Sequence, residues 1–270
     1  MNECYKLIKI SSNGDYLFKN IEALFVIHLE GNGRLKSVIK QLQKYKLTKE
    51  VYILFNKGYK KCKKDKHITL PRYDLIDSFF YIMKEAENKN YNNILILEDD
   101  FIFNKNILNK KITNHIDNFL LINESKIFLY YIGALPYLQI PTFNQENILI
   151  SCTGAHSIIY PKAFIRYINK INKKNIEDWD VYLNLNFKRY IFYKPLCYQL
   201  FPETENSKNW TNYFYSSTIT KAIFKILKLD KQVEPGYTIM YNFSIYLFYT
   251  IIFLICFLSY IIYKKLKNII

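Results

Sequence analysis

The sequence predicts an α/β domain, a mixed but mostly parallel sheet with flanking helices, followed by one C-terminal transmembrane helix. Strand-length apolar runs alternate with amphipathic helical segments along most of the chain, and a charge-free run closes it. The third observation is compositional: half of the 270 residues are hydrophobic, with 25 Tyr and 20 Phe, which is too apolar and aromatic for a disordered chain. This length holds one ordinary domain of roughly 200 to 250 residues and an appendage.

The elements follow in order. "ALFVIHL", Ala23 to Leu29, is a continuous apolar run of strand length, and Gly31 and Gly33 turn the chain after it. "RLKSVIKQLQKY" then sets Leu35, Val38, Ile39 and Leu42 at helical spacing. "VYILF", Val51 to Phe55, is a second buried strand, and the basic stretch from Asn56 to His67 is a loop. A helix follows with Leu75, Phe79, Ile82, Met83 and Ala86 inward and Asp74 as its N-cap, leading to a third strand, Ile94 to Leu97.

Beyond that strand the pattern predicts a helix from about Ile107 to Leu121 and a strand from Lys126 to Gly133. Two further strands, Asn147 to Cys152 and Ala155 to Tyr160, are expected about Thr153 and Gly154. Pro161 suits the first turn of a helix reaching Ile171, "IEDWDVYLNLNF" reads as a short helix, and Pro195 interrupts a late strand. There are no internal repeats. The expected division is an N-terminal extension over 1–20, the domain over 21–215, a basic linker over 216–240, a transmembrane helix over 241–263 and a short basic tail over 264–270.

From Phe243 to Tyr263 no residue is charged, a span long enough for a bilayer core, with Tyr237 and Tyr241 before it and "YKKLKNII" after it. The expectation is a single-pass C-terminal anchor with the domain in the cytoplasm, since the first residues lack the apolar core of a signal peptide. Five scattered cysteines without a CxxC predict neither a disulfide framework nor a zinc site, and a reducing compartment for residues 1 to 240. The sequons at Asn123, Asn209 and Asn242 matter only for a luminal domain.

The net charge of +15 would suit a polyanion, yet only Arg34, Arg72, Arg166 and Arg189 among the 38 basic residues are Arg, the better reader of bases and phosphates. Abundant Lys, Ile, Asn, Tyr and Phe reflect AT-rich coding instead, and nucleic acid is not the expected partner.

The chemistry-bearing stretch is "NILILEDDFIFN". The third strand ends at Leu97, so Glu98, Asp99 and Asp100 stand at the carboxyl end of a buried parallel strand, where open α/β sheets bind ligands. Adjacent carboxylates repel one another, and Mg²⁺ or Mn²⁺ relieves this by bridging carboxylates to a diphosphate. The bland alternative is a solvated acidic turn. Further along, Asp178, Trp179 and Asp180 stand together at the start of a short helix, where carboxylates serve as caps.

Arg34, "LEDD" at Leu97 to Asp100, "GAHSIIYPKAF" at Gly154 to Phe164 and "EDWDVYL" at Glu177 to Leu183 run in an order that resembles the glycosyltransferases of the GT-A fold. The likeness is greatest to glycosyltransferase family 25, the lipopolysaccharide-type and collagen-type galactosyltransferases, over about residues 22 to 205. Where that family opens with N-L-D-R, this chain has His28, Leu29, Glu30 and Gly31, so Arg34 lies further along. The family's "G-C-x-x-S-H" is here "LPRYDLIDSFF", without Cys or His.

The resemblance implies a GT-A-like domain that transfers a sugar from a nucleotide-sugar donor, a UDP-sugar, to a glycan, glycolipid or glycoprotein acceptor with Mn²⁺ or Mg²⁺. Glu98 and Asp100 would hold the metal, and Arg34, Asp99 and His28 would hold the nucleotide. Asp178 or Asp180 would be the base at the acceptor hydroxyl, with Trp179 as a flat surface for a sugar ring. His156 would be a late metal ligand, its bland alternative being a satisfied strand histidine. The competing readings are a membrane-tethered scaffold with a degenerate site and a Mg²⁺-dependent nuclease. The nuclease reading lacks an essential Lys near the carboxylates, since Lys105 lies too far along.

Overall fold

The computed structural model describes residues 4–10, 15–200 and 222–267. The strands are β1 (Tyr5–Ile10), β2 (Ala23–Leu29), β3 (Glu50–Asn56), β4 (Asn93–Glu98), β5 (Phe101–Phe103), β6 (Leu129–Ile140), β7 (Glu146–Pro161), β8 (Arg189–Phe192) and β9 (Cys197–Gln199). A seven-stranded sheet has the order β1-β3-β2-β4-β7-β6-β8, and β5 and β9 pair as a small second sheet. β2, β3 and β4 are mutually parallel, β7 is antiparallel to β4 and β6, and β8 is parallel to β6. Five strands therefore run one way and only β1 and β7 the other, the mixed, mostly parallel sheet that the sequence predicts.

Helices α1 (Leu35–Lys44), α2 (Pro71–Asn88), α3 (Lys110–Ile122), α4 (Lys162–Ile168) and α5 (Trp179–Asn186) cover the sheet, and α6 (Gly236–Lys267) closes the described chain. Each face of the sheet carries its own core. Phe25, Ile96, Ile158 and Tyr131 pack with Phe79, Ile82 and Met83 of α2 on one side, and Val26, Leu95, Leu97 and Ile159 pack with Val38, Ile116 and Leu120 on the other. Alternation along β2 and β4, buried on both faces, explains why these strands read as unbroken apolar runs.

Several expectations are corrected. The helix containing Asp74 begins at Pro71, with extended Leu70 as its cap. Asp74 sits buried in the first turn, bonded to Lys64 and to Asn56 Nδ2. The two strands expected about Gly154 are one 16-residue strand, β7, whose pairing with β6 shifts register repeatedly between Tyr131 and Gln139, so irregularity is absorbed without a break. The late strand does split at Pro195, but its halves join different sheets.

The first twenty residues are not a mere extension, because β1 pairs antiparallel with β3 along Tyr5↔Asn56 to Ile10↔Val51. That pairing brings Cys4 to the loop after β3, where Cys4 and Cys62 form a disulfide. The expectation that the cysteines form no disulfide is thereby corrected. Asn123 caps α3 with its side chain buried between Phe119 O and Lys126, whereas Asn242 is exposed on α6. Asn209, the end of the expected domain at 215 and the first part of the expected linker lie outside the described residues.

The described part of that linker belongs to the core, where Phe224 and Leu229 are buried. α6 is long and apolar enough to cross a membrane, with a mean hydropathy of 2.4 over an 18-residue stretch, and residues 251–260 are exposed along its length. It starts earlier than the apolar run does: Tyr237, Met240, Tyr241 and Ser244 are buried against the domain, and Gln139 of β6 donates to Ser244 Oγ at 2.7 Å.

Candidate active site at the carboxyl edge of the sheet

From β2 the chain moves outward to β3 and then returns past β2 to β4, so the topology switches direction between the adjacent parallel strands β2 and β4. The edge beyond their carboxyl ends is the usual ligand position in such sheets. β2 delivers His28 and the loop with Asn32 and Arg34; β4 delivers Glu98, Asp99 and Asp100.

Asp99 is the organiser. Its Oδ2 receives His28 Nδ1 at 2.8 Å, the Leu29 backbone N–H at 3.1 Å and Asn32 Nδ2 at 2.6 Å, and its Oδ1 receives Arg34 NH1 at 2.9 Å. Burial pushes its pKa up, but the His28, Arg34 and Asn32 donors outweigh burial and hold it below the usual carboxylate range. With both oxygens engaged inside the protein, Asp99 ties the β2 loop to β4, and His28 stands behind it, buried edge-on to Phe55.

Arg34 NH1 also donates to Asp100 Oδ2 at 3.0 Å, and its side chain remains one-third exposed, at 32%. Asp100 Oδ1 receives Gln199 Nε2 at 2.9 Å. Its pKa is raised to about 6 because burial and Asp99 together exceed the opposing effect of Arg34 and Gln199. Glu98 is less compensated. Among the described residues no hydrogen bond reaches its carboxylate, and burial, then Asp100, Asp180 and Asp99, drive its pKa well up against Arg34 alone.

The two candidate bases separate. Asp178 is the N-cap of α5, its Oδ1 receiving Val181 N–H at 3.0 Å. Asp180 is near enough to Glu98 to raise its pKa, and its Oδ2 receives the Gly154 N–H at 2.9 Å. Burial first and Asp178 second raise the Asp180 pKa to about 7. Trp179 is not a sugar platform: it is 4% exposed, stacked on Phe79, with its indole N–H donated to Tyr160.

Gly154 has φ +93, and a Cβ there would lie 2.9 Å from His156 Nδ1 and 3.5 Å from Gln199 Oε1. His156 therefore lies beside the residue that holds Asp100. It is fully buried with neither ring nitrogen hydrogen-bonded among the described residues, and burial, outweighing the neighbouring Cys197 backbone, lowers its pKa to about 4. The Cys197 backbone is its polar neighbour, so a buried strand histidine and a reserve ligand remain the two readings of this ring.

No protein-family model matches the chain, and no curated protein matches it. Among solved structures it is similar to a glycosyltransferase involved in the glycosylation of the major capsid of PBCV-1, at 10% identity over 70% of this chain and 96% of that one, with a TM-score of 0.41. It is also similar to A197 from STIV, at 16% identity over 68% of this chain and 87% of that one, with a TM-score of 0.39. Neither likeness assigns an activity at this level.

A divalent cation is tested by the donor set. Among the described residues no group of three or more His, Cys, Asp or Glu side chains converges on one metal position. What exists is an incomplete set of hard oxygens, Glu98 and Asp100, whose raised pKa values show that Arg34 does not offset their burial and mutual repulsion. That fits Mg²⁺ or Mn²⁺ completed by substrate phosphate and water, the usual manner for these ions, and not a site made by protein alone. Sequence reasoning missed Asn32 and Gln199, whose amides carry no pattern that marks them.

Proposed function

We propose that the chain is a membrane-anchored, metal-dependent glycosyltransferase that takes a sugar from a nucleotide-sugar donor, a UDP-sugar, to a glycan, glycolipid or glycoprotein acceptor. The observation that supports it most is the cluster of raised-pKa carboxylates at the β2/β4 switch point, with one partly exposed Arg34 shared between Asp99 and Asp100.

In this reading Glu98 and Asp100 hold the cation, which would supply charge neutralisation at the departing diphosphate. Arg34 turns its remaining guanidinium N–H groups toward the same phosphates. Asp180, with a pKa near neutrality and the Gly154 N–H fixing one oxygen, takes the proton of the acceptor hydroxyl. Asp99 and His28 keep Arg34 in place, and His156 is held in reserve as a further metal donor beside Gly154.

The second reading, a tethered scaffold with a degenerate site, is favoured by the ion pair between Arg34 and Asp100 and by the incomplete metal set. Calorimetry separates the two. The full chain in nanodiscs is titrated with UDP, with and without Mn²⁺, beside Asp100→Asn. Micromolar binding that needs Mn²⁺ and falls at least tenfold in the variant is the expected result. A folded wild type that binds neither UDP nor Mn²⁺ sinks the transferase reading.

A further inference from the structure

The apolar helix α6 is built into the protein before it leaves it. Tyr237, in its first turn, is fully buried, and its hydroxyl receives the Gln199 backbone N–H at 2.9 Å while donating to the Gln199 carbonyl at 3.1 Å. One hydroxyl thus clamps both backbone polar groups of the last residue of β9. The Gln199 side chain is the one that holds Asp100 Oδ1.

The Tyr237 ring is also enclosed. It meets Tyr198 edge-to-face at 5.0 Å and His156 at 6.5 Å, and seven residues further along α6 Ser244 is bonded by Gln139. Of the two side chains bonded to Asp100, Arg34 is a long, partly exposed side chain, whereas Gln199 departs from a backbone fixed on both sides. Gln199 is the more rigid donor. Without it Asp100 is free to turn wholly onto Arg34.

Resting on the glycosyltransferase reading, we propose that Tyr237 is a positioning residue for the metal and diphosphate site. It acts through Gln199 on Asp100, so that docking of the anchor helix and readiness of the site are a single structural event. The helix is then part of the site wall and not only a tether.

The test uses the full chain in nanodiscs, with Mn²⁺ binding followed by electron paramagnetic resonance and UDP binding by calorimetry. Tyr237→Phe, Gln199→Ala and their double variant are compared with Tyr241→Phe, which removes a buried hydroxyl from the same helix that has no hydrogen-bond partner among the described residues. Tyr237→Phe and Gln199→Ala should each weaken Mn²⁺-dependent UDP binding about tenfold and alter the spectrum of bound Mn²⁺. The double variant should lose no more than either single one, because both act through one contact.

Tyr241→Phe should match wild type, and melting curves show that every variant is folded. Wild-type affinity in Tyr237→Phe, or fully additive losses, overturns the inference and leaves the transferase reading standing. A wild type that binds neither Mn²⁺ nor UDP overturns both.

Discussion

At Asp180 a buried carboxyl group with another carboxylate beside it keeps its proton to about pH 7, and Asp100 keeps its own to about pH 6. Unfolded carboxylates release theirs near pH 4. Between about pH 4 and 7 the unfolded chain therefore binds fewer protons than the folded one, and these two groups lower stability as pH rises. Asp180→Asn, which retains an acceptor for the Gly154 N–H, should melt higher than wild type at pH 8 without divalent cation. Its advantage should shrink toward pH 4. A melting series across that range decides it, and an advantage that grows on acidification contradicts the assignment.

The same scale separates residues that look alike in sequence. Asp178 and Asp180 are two positions apart, and one caps a helix while the other is held by the Gly154 N–H of β7. Trp179 between them is core. Trp179→Ala should cost about 3 to 5 kcal/mol, the usual loss for a buried aromatic. Its effect on UDP affinity in the folded fraction should be slight, and chemical denaturation with parallel calorimetry measures both.

Among the elements, β7 does the most to assemble the site. It runs antiparallel between β4 and β6 and carries Gly154 and His156 past the carboxyl end of β4, where β6 still pairs with it. Gly154 is required twice there, for φ +93 and for the space that His156 Nδ1 and Gln199 occupy. Gly154→Ala should lower stability by roughly 1 to 3 kcal/mol through backbone strain alone. It should also weaken Mn²⁺-dependent UDP binding, because the Asp180 contact and Gln199 shift together. A variant with wild-type melting temperature and affinity contradicts this account of the strand.

At the scale of the whole molecule, α6 contributes to the domain and carries its exposed apolar length away from it. Tyr237, Met240 and Tyr241 fill part of the core formed with β6, and Phe224 and Leu229 lie against the same cluster. A chain cut after Pro235 should expose that surface and aggregate or melt well below the full chain. One cut after Ile245 should keep the domain intact while losing membrane association. Gel filtration and thermal melting of the two truncations distinguish the cases, and equal behaviour would mean that the docked turns contribute little.

Much of this was legible in the chain itself. The strands β2, β3 and β4, the helices α1 to α3, the acidic end of β4 and the apolar span follow from periodicity and composition, which are local properties. The break expected in β7 failed because a strand accommodates a Gly with positive φ as an irregularity when a neighbouring strand, here β6, pairs on both sides of it. What each acid does was decided only by tertiary contact. His28 and Asp99 are 71 positions apart, Gln199 and Asp100 are 99 apart, and Cys4 and Cys62 are 58 apart. The sequence by itself determined where a strand would end in carboxylates and that an apolar helix would follow. Only the fold decided that Asp99 organises the loop, that Asp180 and not Asp178 meets Gly154 beside Glu98, and that the helix reaches back to Asp100 through Gln199. Hydrogen bonding and burial depend on which distant groups arrive at the same place, and local pattern carries no record of that.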